Sequence, residues 1–144
     1  TYVTARTADV TIAARTIDGT FPNYASLIPD NPTKVTVDRD AFVSAAKQAG
    51  IVARDGSGIV RLVTGAGILT VSSFAAEAAT IDIELDAAIA GPAARVALNS
   101  RYIQDALAAV PAGPVTLEVG GLSESVLFRS DAGRTVVMPM SVQW

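Results

Sequence analysis

Acid–base or nucleophilic chemistry in this chain would have to come from carboxylates, lysine or tyrosine, because the sequence contains no histidine and no cysteine. Histidine is the usual general base near neutral pH, and histidine and cysteine together supply most zinc ligands. Their absence excludes disulfides, thiolate chemistry and most zinc sites. We therefore predict that the protein uses no cofactor and no metal.

Four carboxylates are candidates for acid–base pairs: Asp38, Asp40, Asp82 and Glu84. The first two stand at the start of a predicted helix, where carboxylates cap the N-terminus. The other two alternate with apolar residues, as on the solvent face of a strand. General acid–base catalysis needs groups that converge on one substrate. These positions therefore favour a protein that is not an enzyme.

The segment "VVMPM" at 136–140 points to recognition. Val136, Met138 and Met140 alternate as residues on one face of a strand do, and a strand is predicted over Thr135–Met140. Pro139 cannot donate a ladder hydrogen bond, so this strand must be an edge, a strand end or a bulge. Methionine is flexible and polarizable, which suits either the packing of a terminal strand or an adaptable binding surface. The residues alone leave both alternatives open.

Two helices are predicted from apolar spacing and capping residues. The first runs from Asp38, as the N-cap, to Gly50, which supplies a C-terminal stop. The second runs from Asn99, as the N-cap, to Val110, and Pro111 ends it. Both helices are rich in alanine, so a sheet can approach them closely.

Short alternating segments account for most of the remaining chain. The predicted strands are Val10–Ile12, Val35–Val37, Ile59–Val63, Gly67–Ser72, Ile81–Leu85, Val96–Leu98, Val115–Val119, Ser125–Phe128 and Thr135–Met140. The strand–helix segment that begins at Val35 recurs at Val96, 61 residues later. We therefore predict an α+β domain built from a duplicated strand-helix-strand-strand-strand unit, with two helices packed on one face of an antiparallel sheet.

The composition limits which classes of protein are possible. The 144 residues, of which 50% are hydrophobic, suffice for one globular domain. A net charge of −3 argues against strong autonomous DNA binding, which usually needs a basic patch. No apolar run approaches the roughly 20 residues of a membrane-spanning helix, and no signal-peptide pattern opens the sequence. We expect a cytoplasmic protein with no membrane partner.

Three separated motifs resemble one protein family. The segment "IDGTFPNYASLIP" at 17–29 is similar to the connector into the third domain of the bacterial sliding clamp, the beta subunit of DNA polymerase III. The segment "ALNSRYIQDAL" at 97–107 is similar to a strand-into-helix motif of that domain, and "VVMPM" to its near-C-terminal signature. The resemblance implies that 1–19 is the end of the preceding, middle domain with the connector, and that 20–144 is the C-terminal clamp domain.

A whole subunit of this family has three such domains, and two subunits close a ring around duplex DNA. The chain resembles about one third of a subunit, with Thr1–Thr16 similar to the last hairpin of the middle domain. One domain cannot encircle DNA by itself. The resemblance therefore implies that the ring needs further domains and a second subunit.

The resemblance also implies a pocket beside the C-terminal strand, which docks short extended peptides of partner proteins. The matching positions are Pro22, Leu27, Asn99, Tyr102, Val136, Met138, Pro139 and Met140. A family position that often carries a basic side chain beside the pocket is Ser26 here, so we expect altered peptide preferences. In the family, residues of the middle domain complete the pocket.

Two further surfaces follow from the resemblance. The dimer interface corresponds to an apolar pair just past the first helix and an acidic set on a strand: Ile51, Val52, Glu77, Asp82 and Glu84. The helices of the family line the central hole, so four basic residues are expected to face DNA: Arg39, Lys47, Arg54 and Arg101. Contacts of this kind go to phosphates and carry no sequence information.

The function implied is that of a non-enzymatic DNA-replication processivity factor at the bacterial replication fork. The expected partners are DNA polymerase and other clamp-binding proteins with short linear motifs, a clamp loader, a second clamp subunit, and encircled duplex DNA. A stand-alone peptide-binding module that does not encircle DNA is the alternative, and an enzyme is the third reading. Size-exclusion and loading assays on the intact gene product would separate the first two.

Overall fold

The computed structural model describes residues 1–54, 58–75 and 79–144, and in these ranges the chain forms eleven strands and two helices. The strands are β1 (Tyr2–Arg6), β2 (Thr11–Arg15), β3 (Thr33–Asp38), β4 (Ile59–Gly65), β5 (Ile68–Ala75), β6 (Ala79–Asp86), β7 (Ala88–Ala90), β8 (Arg95–Asn99), β9 (Pro114–Val119), β10 (Val126–Ser130) and β11 (Gly133–Val137). The helices are α1 (Arg39–Arg54) and α2 (Ser100–Ala108), and a single 3₁₀ turn spans Tyr24–Leu27.

The two halves of the repeat exchange their first strands. The first half runs β3-α1-β4-β5-β6 and the second runs β8-α2-β9-β10-β11. However, β3 pairs with β9 of the second half, with Val35 opposite Leu117, and β8 pairs with β4 of the first half, with Val96 opposite Leu62. Two antiparallel sheets result, ordered β11-β10-β9-β3-β7 and β6-β5-β4-β8. Each half therefore completes the sheet of the other.

The α+β class, the two helices and the order of the duplicated elements agree with the prediction. The strands are divided between two main sheets, where one was predicted, because β3 and β8 serve different sheets. The two helices pack against each other; α1 also contacts β3, β4, β5 and β6, and α2 contacts β8 and β11, so each helix touches both sheets. The strand β1 was expected only through the resemblance of Thr1–Thr16 to a hairpin, and β7 was missed; β7 has only the three residues Ala88–Ala90, too few to alternate visibly.

The core draws on both halves equally. Phe42 from α1 and Phe128 from β10 stack with their ring centroids 6.4 Å apart, and both are fully buried. Ala45, Ala46 and Ala49 form the buried stripe of α1, so the sheet lies close to the helix axis. Burial of one large apolar side chain contributes roughly 1.5–3 kcal/mol to stability. The two phenylalanines therefore tie the halves together.

Both predicted N-caps are observed. The Asp38 Oδ1 accepts a hydrogen bond from the Ala41 N–H at 2.8 Å, and the Asn99 Oδ1 accepts one from the Arg101 N–H at 2.9 Å. Each bond satisfies one of the backbone donors that have no partner in the first turn of a helix. The carboxylate of Asp38 thus has a structural role at a helix start.

The predicted stop of the first helix at Gly50 is wrong, because α1 continues to Arg54. The glycine lies where α2 comes closest: a Cβ placed there would be 2.9 Å from the Nε2 of Gln104. A larger residue would therefore displace the end of the Gln104 side chain. Gly50 lies inside the helix where it faces α2, and it does not terminate the helix.

The β1–β2 hairpin is exposed along both strands, with Tyr2 opposite Arg15 and Arg6 opposite Thr11. A hairpin agrees with the expectation for Thr1–Thr16. The division into 1–19 and 20–144 stays a prediction. Within the described ranges, no helix has both the length and the apolar character needed to cross a bilayer.

Candidate functional site

The connector before β3 and the segment after β11 enclose a groove of about 660 Å³. Leu27 and Pro29 contribute apolar surface from the connector, and Val136 and Met138 contribute it from the C-terminal segment. Polar and acidic side chains complete the lining: Ser26, Asp30, Asn31, Glu124 and Ser125. Leu27 is 63% exposed and Met138 is 64% exposed, so this apolar surface is open to a partner.

Met138 projects into the groove because the strand before it stops. The predicted continuation of the strand to Met140 is wrong: β11 ends at Val137, which is buried in the core. Pro139 has no N–H to donate to a ladder. The Met140 N–H donates to the carbonyl of Ala97 on β8 at 2.8 Å. The chain therefore leaves the five-stranded sheet and crosses to the four-stranded one, with Met138 in between.

The sheet beneath the groove has an apolar outer face. Val136 lies opposite Leu127 in the β10–β11 ladder, so both side chains are on the same face. Leu127 is fully buried although its neighbours Val126 and Phe128 belong to the core on the other face. Val136 thus lies beside a buried apolar neighbour and is itself partly exposed in the groove.

Asn31 fixes the connector against the five-stranded sheet. Its side chain is buried, and its amide Nδ2 donates to the carbonyls of Glu118 and Ser125, each at 2.8 Å. Leu27, four residues earlier, is thereby held beside β11. The sequence reasoning missed Asn31, although an Asn-Pro dipeptide is a turn signal that could have marked it.

Sequence reasoning also missed Pro29, Asp30, Glu124 and Ser125, which line the groove. Pro29 and Asp30 stand inside or directly beside the connector motif. Glu124 and Ser125 stand in the loop before β10, about a hundred residues away in sequence. No local pattern predicts that this loop meets the connector, because the contact depends on the strand exchange.

Other predicted pocket residues lie outside this groove. Asn99 and Tyr102 line a hollow of about 730 Å³ between the helices, together with Lys47 and Ile51. Tyr102 is exposed there. These two residues therefore belong to the start of α2, in the same hollow as the predicted DNA-facing Lys47 and the predicted interface residue Ile51.

The last three predicted positions are also separate. Pro22 is exposed, and its carbonyl accepts the Tyr24 N–H at 2.8 Å. Pro139 is half-buried, and Met140 lines a small pocket with Trp144. Leu27, Val136 and Met138 are therefore the predicted residues that the groove brings together. The pocket assignment of the whole set stays a prediction.

The C-terminal tail packs on the four-stranded sheet. The guanidinium carbons of Arg61 and Arg95 lie 5.7 and 5.0 Å from the centroid of the Trp144 ring, within the range of cation–π attraction. The Arg61 Nη2 also donates to the carbonyl of Gln143 at 2.9 Å. The tail thereby covers Ala97, which is buried although it faces away from the core cluster.

The predicted dimer-interface residues that the structure describes belong to α1 and β6 of the first half. Ile51 and Val52 were predicted just past the first helix, but they lie in its last turns, because α1 continues to Arg54. Ile51 is 62% exposed and Val52 is half-buried. The strand β6 is the edge of its sheet, and Asp82 and Glu84 on it are exposed. The remaining predicted residue, Glu77, lies outside the described residues.

The predicted DNA-facing residues differ in their surroundings. Lys47 and Arg101 are exposed and line the hollow between the helices. The Arg39 Nη1 is 2.6 Å from the Asp40 Oδ1, so its charge is partly neutralised locally. Arg54 ends α1, and its side chain is outside what the structure describes.

Comparison with known proteins identifies relatives over most of the chain. A family model of the C-terminal domain of the DNA polymerase III beta subunit matches residues 25–141. The chain is also similar to the beta sliding clamp of Staphylococcus aureus (strain Mu50), at 27% identity over 141 residues, and to that of Staphylococcus epidermidis, at 26% identity. Both alignments cover 94% of this chain and 37% of the relative, so the chain spans less than two fifths of their length.

Solved structures share the fold. The DNA polymerase III beta subunit of Thermotoga maritima superposes with a TM-score of 0.89 at 22% identity, over 99% of this chain and 40% of that one. A sliding clamp of Bartonella birtlesii bound to griselimycin superposes with a TM-score of 0.88 at 24% identity, again over 99% and 40%. The predicted α+β clamp fold is thereby confirmed. Since the family model spans most of the residues, the chain belongs to the family of the C-terminal domain of the DNA polymerase III beta subunit.

Proposed function

We propose that this domain is part of a DNA-replication processivity factor, a ring around duplex DNA that docks short peptide motifs of polymerases and other partners. The observation that carries the proposal is the family match over residues 25–141, supported by a groove that three of the eight predicted pocket residues line. The family is non-catalytic, which confirms the prediction that the domain is not an enzyme.

The mechanism is topological tethering. A closed ring slides along DNA but does not leave it, so a polymerase bound to the ring stays near the primer end at high effective concentration. This chain spans 37% of the curated clamps, so the ring needs the further domains of a complete subunit and a second subunit. A clamp loader opens the ring at the fork, in the bacterial cytoplasm.

Ring closure uses the first half of the domain. The exposed Ile51 provides an apolar contact in the last turns of α1, and β6 provides the free edge of the four-stranded sheet. Asp82 and Glu84 on β6 face basic residues of the other subunit, which supports recognition by charge. An edge strand also offers unpaired backbone groups to a neighbouring strand. Both features support an interface here.

DNA faces the helix layer. Lys47 and Arg101 present exposed positive charge there, and Asp105 in the same hollow offsets part of it. Such a weak field attracts phosphates without fixing a position along the DNA, which suits a ring that slides. The contacts are expected to weaken steeply as salt rises.

Peptide docking uses the groove beside β11. Val136 and Met138 offer an apolar wall, and Met138 can adapt its shape to different partner side chains. Asn31 holds the opposite wall in place before a peptide arrives. A groove that is already formed binds peptides with little ordering cost.

The test is a peptide titration of the complete gene product. We expect Met138→Ala to weaken binding of a clamp-motif peptide about 10-fold, as truncation of an interface anchor typically does. Met140→Ala is expected to have a smaller effect, since Met140 lines a separate pocket. Isothermal titration calorimetry measures both.

Phe74→Ala is the matched control, because Phe74 is also an exposed large apolar residue but lies on β5, outside the groove. It should leave peptide affinity unchanged. Equal affinity of the wild-type protein and Met138→Ala would refute the assignment of the peptide site. Peptide binding without retention of the loaded protein on circular DNA would favour the stand-alone module over the ring.

A further inference from the structure

The charged residues that line the groove are both acidic. Asp30 comes from the connector and Glu124 from the loop before β10, and both are exposed. No lysine or arginine is part of the lining among the residues that the structure describes. Ser26, at the position where the family often has a basic residue, is uncharged. An apolar surface is therefore bordered by negative charge.

The two carboxylates are brought to the same end of the groove by one hydrogen bond. The Asn31 Nδ2 donates to the carbonyl of Ser125 at 2.8 Å, and Asp30 and Glu124 are the residues directly before these two partners. The Glu124 carboxylate is further oriented, because its Oε2 accepts the Gly121 N–H at 2.8 Å. The acidic pair therefore sits on fixed backbone near Met138.

The nearest basic residues of the same sheet face lie at the other end. On this face, Arg129 and Arg134 form the next cross-strand pair after Leu127 and Val136. Arg129 is bound to the buried Glu118, with Nε and Nη2 both 2.7 Å from the same carboxylate oxygen. This leaves Arg134 and, two strands further across the same face, Lys34, and neither lines the groove. The acidic end is not neutralised from within the groove.

We propose that the groove selects, among peptides with an apolar anchor, those that carry a lysine or arginine next to that anchor. This inference rests on the proposed peptide-docking function and names its preferred partner class. A basic flank meets Asp30 and Glu124, whereas an acidic flank is repelled by both. Charges at the rim of an interface act on partner choice and association rate more than on total affinity.

The experiment compares two peptides with an identical apolar anchor, one flanked by lysines and one by glutamates. Fluorescence anisotropy with the complete gene product gives both dissociation constants. At low salt the lysine peptide should bind about 10-fold more tightly, as two exposed ion pairs allow. The ratio should shrink toward unity as the ionic strength approaches about 1 M.

Two variants assign the preference to these carboxylates. Asp30→Asn with Glu124→Gln should reduce the ratio to about twofold or less, and the glutamine can still accept the Gly121 N–H. Asp131→Asn removes one exposed negative charge from the β10–β11 turn, outside the groove, and should leave the ratio of the two dissociation constants unchanged. Circular dichroism checks that each variant is folded.

The possible outcomes distinguish failure of the charge preference from failure of the peptide-docking function. Equal affinity for both peptides, or a ratio that survives the double substitution, overturns the inference while leaving the peptide-docking function intact. Binding of neither peptide overturns the docking function, and the inference with it. A ratio that falls in the double variant but not in Asp131→Asn supports it.

Discussion

The strands β6 and β11 occupy equivalent places in the two halves, yet their edges differ. Each is the last strand of its unit and the outer edge of its sheet. β6 spans eight residues, and its outward side chains include Asp82 and Glu84. β11 spans five and stops at Val137, because Pro139 cannot continue a ladder and the chain crosses to β8.

The comparison shows how one repeated unit supplies two kinds of surface. A long edge with regular backbone groups can extend into a neighbouring sheet, and its charges prevent indiscriminate pairing. A short edge followed by an unpaired segment leaves an apolar side chain, Met138, without strand neighbours. The connector then covers the sheet beside it and completes a groove. We therefore propose subunit pairing for the first edge and peptide docking for the second.

The largest effect is expected at the end of α1, in the same half as the first edge. Ile51→Glu in the complete gene product would bury an unpaired charge in the subunit interface, which costs about 2–5 kcal/mol, or at least about 30-fold in dimer affinity. The domain itself should stay as stable as before, because Ile51 is exposed in it. Sedimentation velocity measures the dimer, and thermal unfolding measures the domain.

Leu122→Glu is the control for that experiment, since Leu122 is exposed and lies near the C-terminal tail. It should leave the dimer intact. If the dimer tolerated Ile51→Glu, the end of α1 would lie outside the subunit interface. The proposed difference in role between the β6 half and the β11 half would then lose its support.

The second effect is expected beside β11. Asn31→Ala leaves the carbonyls of Glu118 and Ser125 without their side-chain donor, so the free energy of unfolding should fall by about 1–3 kcal/mol. Peptide affinity should fall as well, because the connector wall loosens. Urea denaturation and calorimetry measure the two quantities.

Asn23→Ala provides the matched control. Asn23 precedes the 3₁₀ turn, and its side chain makes no capping hydrogen bond. Its loss should change stability by less than about 0.5 kcal/mol, as for most surface substitutions. Similar stability losses in both variants would mean that Asn31 has no special role in holding the connector.

The fold was largely predictable because its signals are local. Capping by Asp38 and Asn99, alternation in the strands and the recurrence of Val35 at Val96 fixed the elements and the repeat. The exchange of β3 and β8 was not predictable, because strand partners far apart in sequence leave no local pattern. Gly50 was misread for a similar reason: the close approach of α2 gives the glycine its role, and α2 is distant in sequence.

The candidate site was predictable only in part. Resemblance singled out Leu27, Val136 and Met138, which do line one groove. The acidic border was missed, since the loop that carries Glu124 is distant in sequence from the connector, to which the hydrogen bond of Asn31 joins it. The end of β11 shows the limit of alternation as a signal: the pattern continues through Met140, but the missing N–H of Pro139 ends the strand.

The smallest effect is expected at β6. It tells whether the charges of this strand attract the other subunit or keep edge strands from pairing. Asp82→Asn with Glu84→Gln removes two exposed charges that we expect to face basic residues of the other subunit. The dimer of the complete gene product should weaken about three- to tenfold at low salt and hardly at all at high salt, as for exposed ion pairs. Asp131→Asn with Glu124→Gln removes the same charge from the β11 half and should have no effect on the dimer.

A tighter dimer in the first double variant would contradict the assignment. The two carboxylates would then act only to keep edges apart, as charges on free edge strands often do, and their loss would promote pairing. The salt dependence distinguishes these roles, because relief of repulsion also fades with salt but has the opposite sign. Sedimentation equilibrium at two ionic strengths therefore decides whether β6 attracts a chosen partner or repels all others.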